Sequence, residues 1–131
     1  MSPNSDDVVR ITVPARADFL HVVRTVVGSV AARNDLTIDA IEDLRIAVDE
    51  ACAQLLAVRG SAVTVEIAPR PGGIETICST DAEVAVWPPE GIQDSLAAQV
   101  LQGLSDTVAW ERTPAGPSVR VGKRAVGADE A

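Results

Sequence analysis

The sequence predicts an α+β fold, a two-layer sandwich in which a mixed, mostly antiparallel sheet carries three helices on one face. Three observations predict it. Apolar residues recur at helical spacing in three segments, and five short stretches rich in β-branched residues separate them. The order is strand, helix, helix, strand pair, helix, strand pair, with Pro and Gly turns inside each pair. Two consecutive hairpins and few parallel crossovers favour antiparallel pairing.

Each element has its own reason. Val8 to Val13 is β-branched and ends at Pro14, which suits a first strand at a sheet edge. From Ala17 to Ala32, Leu20, Val23, Val27 and Val30 make one apolar line, and Phe19, Val22 and Val26 make a second. A helix apolar on two sides is sandwiched, inside the domain or against a partner. His21 and Arg24 mark its polar edge. Asn34-Asp35 ends that helix, Thr37 caps the next, and Asp39 complements its dipole.

The second helix, Thr37 to Val58, carries Ile41, Leu44, Val48, Ala51 and Leu55 as its core stripe, with Asp39, Glu42, Asp43 and Arg45 solvated. Gly60 is expected to close it. Ala62 to Ala68 and Ile74 to Ser79 alternate as two strands across Pro69-Arg70-Pro71-Gly72-Gly73. Thr80 to Ile92 is a loop with Pro88-Pro89 and Gly91. Gln93 to Ser105 is a third helix with Leu96, Val100, Leu101 and Leu104 inward, and Thr107 to Arg112 pairs with Ser118 to Lys123. The domain is expected over 8–124, between disordered tails at 1–7 and 125–131.

Composition bounds the function. The chain has 131 residues, enough for a sizeable core in one domain. Aromatics are 2% (Phe19, Trp87 and Trp110), so the core is aliphatic. The formal charge of −8 argues against nucleic acid or anionic membrane as partner and favours a basic protein surface. Cys52 and Cys78 lack metal-site spacing and His21 stands alone, which leaves buried free thiols and no zinc site. With neither an apolar leader nor a membrane-length apolar run, the expected place is the cytoplasm.

No G-x-G-x-x-G, GKS, H-E-x-x-H or G-x-S-x-G is present. What remains is Asp49-Glu50 with Gln54 one turn on. Such a run is either a solvated helix face or a chemical site. In the second case Glu50 is a general base for a hydroxyl or water, and the Gln54 carbonyl is a hard oxygen ligand for Mg²⁺.

The run IEDLRIAVDEACAQLL, following a strand, a valine-rich helix and a short loop, resembles the N-box helix of the anti-sigma factor serine kinases, which have the histidine-kinase-like (Bergerat) ATPase fold. Asp43, Leu44, Ala47, Val48, Glu50 and Ala51 fall in register with the family's D-L-x-x-A-V-x-E-A-x-x-N-A. The resemblance implies a homodimer that sequesters an alternative sigma factor and uses ATP and Mg²⁺ to phosphorylate a serine of an anti-anti-sigma partner. By the same resemblance Glu50 is the catalytic base, Gln54 stands at the Mg²⁺-binding Asn, Asp81 is the aspartate that meets the adenine amino group, and Arg24 is the first-helix arginine that grips sigma.

The departures point the other way for nucleotide. Gln54 adds a methylene in a shell where Mg²⁺ wants octahedral oxygens at ~2.0–2.1 Å. Where the family has D-x-G-x-G this chain has Asp81-Ala82-Glu83-Val84-Ala85, and the later G-x-G is replaced by Gln93-Asp94-Ser95-Leu96. Three readings follow: a sigma-sequestering module with weakened or lost ATP chemistry, an active serine kinase, or an unrelated small α+β ligand-binding or scaffold protein.

Overall fold

The structure is a computed structural model and describes residues 7–125. Strand β1 (Val9–Pro14) leads through a 3-10 turn (Ala17–Phe19) into α1 (Leu20–Ala32), and α2 (Ile38–Leu56) follows. Then come β2 (Ala62–Arg70), β3 (Gly73–Thr80), a second 3-10 turn (Ile92–Asp94), α3 (Leu96–Leu104), β4 (Thr107–Thr113) and β5 (Gly116–Arg124). The five strands form one sheet in the order β1-β2-β3-β5-β4, with β1 and β4 at its edges.

Every pair is antiparallel, so the expected mixed, mostly antiparallel sheet is antiparallel throughout. The reason is connectivity. The α1–α2 hairpin returns the chain beside β1 running the opposite way. Helix α3 carries it to the far edge as β4, parallel to β3, and β5 inserts between those two, so no neighbouring pair is parallel. No helix among the described residues is long and apolar enough to cross a membrane.

The sheet has two chemically different faces because side chains alternate. Val63, Val65 and Ile67 of β2 stand in register with Thr80, Cys78 and Thr76 of β3, and Cys78 and Thr76 with Val119 and Val121 of β5. These are buried under the helices. The opposite face is polar. Arg10 pairs with Glu66, and Glu75, Arg120 and Glu111 form a ladder across three strands. Surface pairs of this kind contribute little stability each, but they keep the uncovered face wet.

Helix α2 is the middle of the helical layer, packed on α1, α3 and the central strands. Its N-cap is Thr37, whose Oγ1 accepts from the Ala40 N–H at 3.0 Å. Leu44, Ala47, Val48, Ala51, Cys52 and Leu55 are buried. Ile41 packs at the core's edge, and Ala47 is fully covered. Asp43 is about two-fifths exposed and also paired. Its carboxylate meets Lys123 Nζ at 3.3 Å, and that ammonium also donates to the Leu104 carbonyl at 3.0 Å. Lys123 therefore ties β5 to α2 and to the carbonyl end of α3, where a cation is favoured.

Helix α1 is buried along Val23, Val27, Val30 and Ala31. Its second line is covered only in part. Phe19 and Val26 pack against the core, while Val22 stays exposed, as do Val8 and Val9 at the start of β1. His21 lies on the exposed edge, as expected.

Three further expectations are corrected. Gly60 does not end α2: the helix stops at Leu56 and the chain turns at Arg59, which has φ 59°. Leu96 is 73% exposed, because Ser95 is the N-cap of a later-starting α3 whose inward residues are Ala97, Ala98 and Leu101. Ala125 is not tail, since its N–H donates to the Gly72 carbonyl at 2.9 Å. The remaining tail residues, 1–6 and 126–131, lie outside the described part.

One core atom is unmatched. Thr76 is fully buried on the helix-facing side of β3, and its Oγ1 has no hydrogen-bond partner among the described residues. A buried hydroxyl left unpaired costs about 1–3 kcal/mol. Thr76→Val keeps the shape and the β-branch, so it should stabilise the protein by about 1 kcal/mol, read as a higher urea midpoint at unchanged slope. A lower midpoint would show that the hydroxyl is paired in solution.

Candidate functional site

Burying one stripe of α2 turns the opposite stripe outward. Ile46, Asp49, Glu50 and Ala53 follow at spacings of three, one and three, and all line a cleft of ≈ 340 Å³. Leu20 at the start of α1 and Val100 of α3 complete its walls. The lining is four apolar side chains and two carboxylates. Gln54 is half-buried on the same helix but is not part of this lining. The Glu50 side chain makes no ion pair or hydrogen bond to another described residue.

Arg24 comes to this place from α1. Its Nε lies 3.3 Å from Asp49 Oδ1, with both side chains about two-fifths exposed. The nitrogen is itself covered and its N–H is not aimed for a hydrogen bond, so the contact is a charge pairing across the α1–α2 seam. The structure therefore brings together Arg24, Asp49 and Glu50, which stand on two helices. Asp49 had no role in the sequence beyond being Glu50's neighbour. Nothing local in the sequence pairs it with an arginine twenty-five positions back (49 − 24).

Asp81 lies elsewhere. It follows β3, and its side chain is engaged within the chain: Oδ1 accepts from the Ser61 N–H at 2.8 Å and the Ala62 N–H at 3.2 Å, and Oδ2 accepts from the Ser61 hydroxyl. Two glycines make room for this corner. A Cβ on Gly60 would meet Asp81 Oδ1 at 2.5 Å, and one on Gly116, at φ 123°, would meet the Thr80 carbonyl at 2.1 Å. Hydrogen bonds to its charged form hold the Asp81 carboxyl at about 2, below its ordinary 3.8, with the Ser61 hydroxyl first and the Ala62 and Ser61 N–H groups next.

The loop after Asp81 closes down on the sheet. Ala82 and Trp87 are buried, Trp87 Nε1 donates to the Ser118 carbonyl at 3.1 Å, and its ring meets Trp110 at 5.8 Å between centroids. Arg112 Nη2 donates to the Val84 carbonyl at 2.9 Å, holding the loop's middle. Trp87 was legible in the sequence only as a scarce aromatic. Its placement as the loop's anchor depends on β5, some thirty residues away.

As a holder of Mg²⁺ and a triphosphate the place is poorly furnished. The cleft lining contains no Lys or Arg and no glycine backbone. Among the described residues no group of three or more His, Cys, Asp or Glu is arranged to hold a metal ion. Cys52 and Cys78 are buried free thiols, and hydrogen bonding to Cys52, then burial, pushes the Cys78 thiol up.

An α+β sandwich whose central helix turns an acidic stripe to an open cleft defines a class of helix-faced, ATPase-like domains, and comparison with known proteins narrows it. The chain matches no protein-family model. It is 34% identical over 104 residues, 76% of its length, to the anti-sigma-F factor RsbW of Mycobacterium tuberculosis. It is 41% identical over 56 residues to the serine-protein kinase RsbW of Halalkalibacterium halodurans, and 43% over 49 residues to that of Bacillus subtilis. These cover 43% and 37% of this chain. The chain spans 59% of the mycobacterial relative and 35% and 31% of the other two. These similarities, over partial lengths, support the anti-sigma factor serine-protein kinase family.

The Asp81 corner makes a pH prediction. A carboxyl lowered on folding adds stability that is complete above its unfolded value near 4 and is lost as pH falls through about 2. Ser61→Ala should raise the Asp81 midpoint toward 3.8, followed by carboxyl-carbon NMR; an unmoved midpoint would mean the Ser61 hydroxyl does not hold it.

Proposed function

We propose that this chain is an anti-sigma factor that binds and sequesters an alternative sigma factor of the stress or sporulation type, with ATP and kinase chemistry weakened or lost. An anti-anti-sigma antagonist releases the complex, and the setting is the cytoplasm. The family relationship supports the kind of partner, since one relative is named an anti-sigma factor. The observation that carries the loss of nucleotide chemistry is the lining of the cleft beside Glu50: apolar and acidic, without a cation for a triphosphate. The engaged Asp81 carboxylate and the loop anchored by Trp87 support the same reading.

A second reading, an active serine kinase, is favoured by one fact: Glu50 is unpaired and open to the cleft, as a general base must be. There Glu50 takes the serine proton while the γ-phosphoryl passes to the serine oxygen and ADP leaves. Gln54 is its weakest part, as an amide outside the cleft lining. Titrating labelled ATP with Mg²⁺ separates the two readings. The proposal expects no submillimolar binding. Submillimolar binding lost in both Glu50→Gln and Asp81→Asn would establish the kinase reading instead.

Arg24 belongs to the sigma-binding surface in this proposal, along the seam where it meets Asp49. Arg24→Glu should weaken the sigma complex by about tenfold, and an unchanged affinity would remove Arg24 from that surface. Homodimerisation through β1 and α1 is part of the same proposal, supported by the open edge of β1 and the exposed Val8, Val9 and Val22. Light scattering should give twice the chain mass; a monomer would count against it.

A further inference from the structure

The cleft beside Glu50 does more than lack cations. Ile46 is 48% exposed at its floor, and Leu96, one helical turn before the wall residue Val100, is 73% exposed. Large aliphatic side chains seldom gather on an open face unless something covers them. Here Leu20, Ile46, Ala53 and Val100 converge from three helices around Glu50, a carboxylate with no partner among the described residues, and Leu96 stands one turn from Val100 on the same helix. The neighbouring Asp49 is shared with Arg24, so the uncompensated charge of the cleft is negative.

We propose that this cleft is a docking groove for an amphipathic helix of the bound partner, one that presents aliphatic side chains flanked by Lys or Arg. The inference deepens the reading of the chain as a protein-binding module. The floor of the groove is a helix whose exposed residues recur at 46, 49, 50 and 53, which is the spacing that accepts ridges of another helix. Aliphatic anchors fill the space between Leu20, Ile46 and Val100. A cation at the groove's margin meets Glu50, which has no competing partner among the described residues. The formal charge of −8 steers such a helix toward the surface but does not place it; the apolar convergence does.

The test uses the full chain and a Leu/Lys peptide with Leu at i, i+3, i+4 and i+7, against a scrambled peptide of identical composition, by fluorescence anisotropy. The amphipathic peptide should bind about tenfold more tightly than the scrambled one. Ile46→Asp and Leu96→Asp should each remove most of that difference, while Glu111→Lys on the uncovered sheet face should leave it. Both substituted residues are exposed, so folding is checked by an unchanged urea midpoint. Equal binding of the two peptides, or binding indifferent to Ile46→Asp and Leu96→Asp, overturns the groove. A chain that shows the groove but captures no purified sigma factor refutes sigma binding alone. Capture of sigma that ignores both substitutions refutes the groove alone.

Discussion

The fold depends on how closely α2 lies on the sheet. Aromatics are 2% of the chain, and Trp87 joins the core from the loop after β3, so aliphatic side chains make the contact between α2 and the sheet. The contact is made by Leu44, Val48 and Leu55 interleaved with Ala47, Ala51 and Cys52, all fully buried. Small residues at the middle of the stripe let the helix approach Val65, Cys78, Val119 and Val121. Full burial of one such aliphatic side chain is worth about 1.5–3 kcal/mol, so the stripe as a whole sets the helix's rotation. Once that rotation is set, Ile46, Asp49, Glu50 and Ala53 have no choice but to face out.

Charge then fastens what packing has oriented. Arg24 joins α1 to α2 through Asp49, and Lys123 joins β5 to α2 through Asp43 and to α3 through the Leu104 carbonyl. Lys123 is largely covered, so its contacts are screened less than those on the open sheet face. The two pairs use Asp43 and Asp49 and leave Glu50 uncommitted among the described residues. A carboxylate that the fold does not use is available for a partner, whether the partner is a serine hydroxyl or a cationic side chain.

Local signals in the sequence were enough for the order of elements, and for Thr37 as a cap, because helical and strand periodicities are local. The acidic stripe of α2 was equally legible, since the spacing of Leu44, Val48 and Leu55 implies the opposite face. What was not legible depends on distant contacts. Gly60 reads as a helix terminator, yet its place is set by the Asp81 carboxylate folding over it. Leu96 reads as core, yet the cap at Ser95 rotates it outward. Asp43 reads as merely solvated because its partner Lys123 is eighty residues away. The antiparallel β3–β5 pairing likewise requires the chain's last strand to enter beside β3.

The central proposal is that the outward face of α2 binds a protein partner and not nucleotide. Methyl NMR on Ile, Leu and Val tests it most directly, because Leu20, Ile46, Leu96 and Val100 report the face and Val65 and Val119 report the core. A purified sigma factor should shift the first set, and Mg·ATP should leave both sets where they are. Shifts of Leu20, Ile46 and Val100 with Mg·ATP and none with sigma would contradict it.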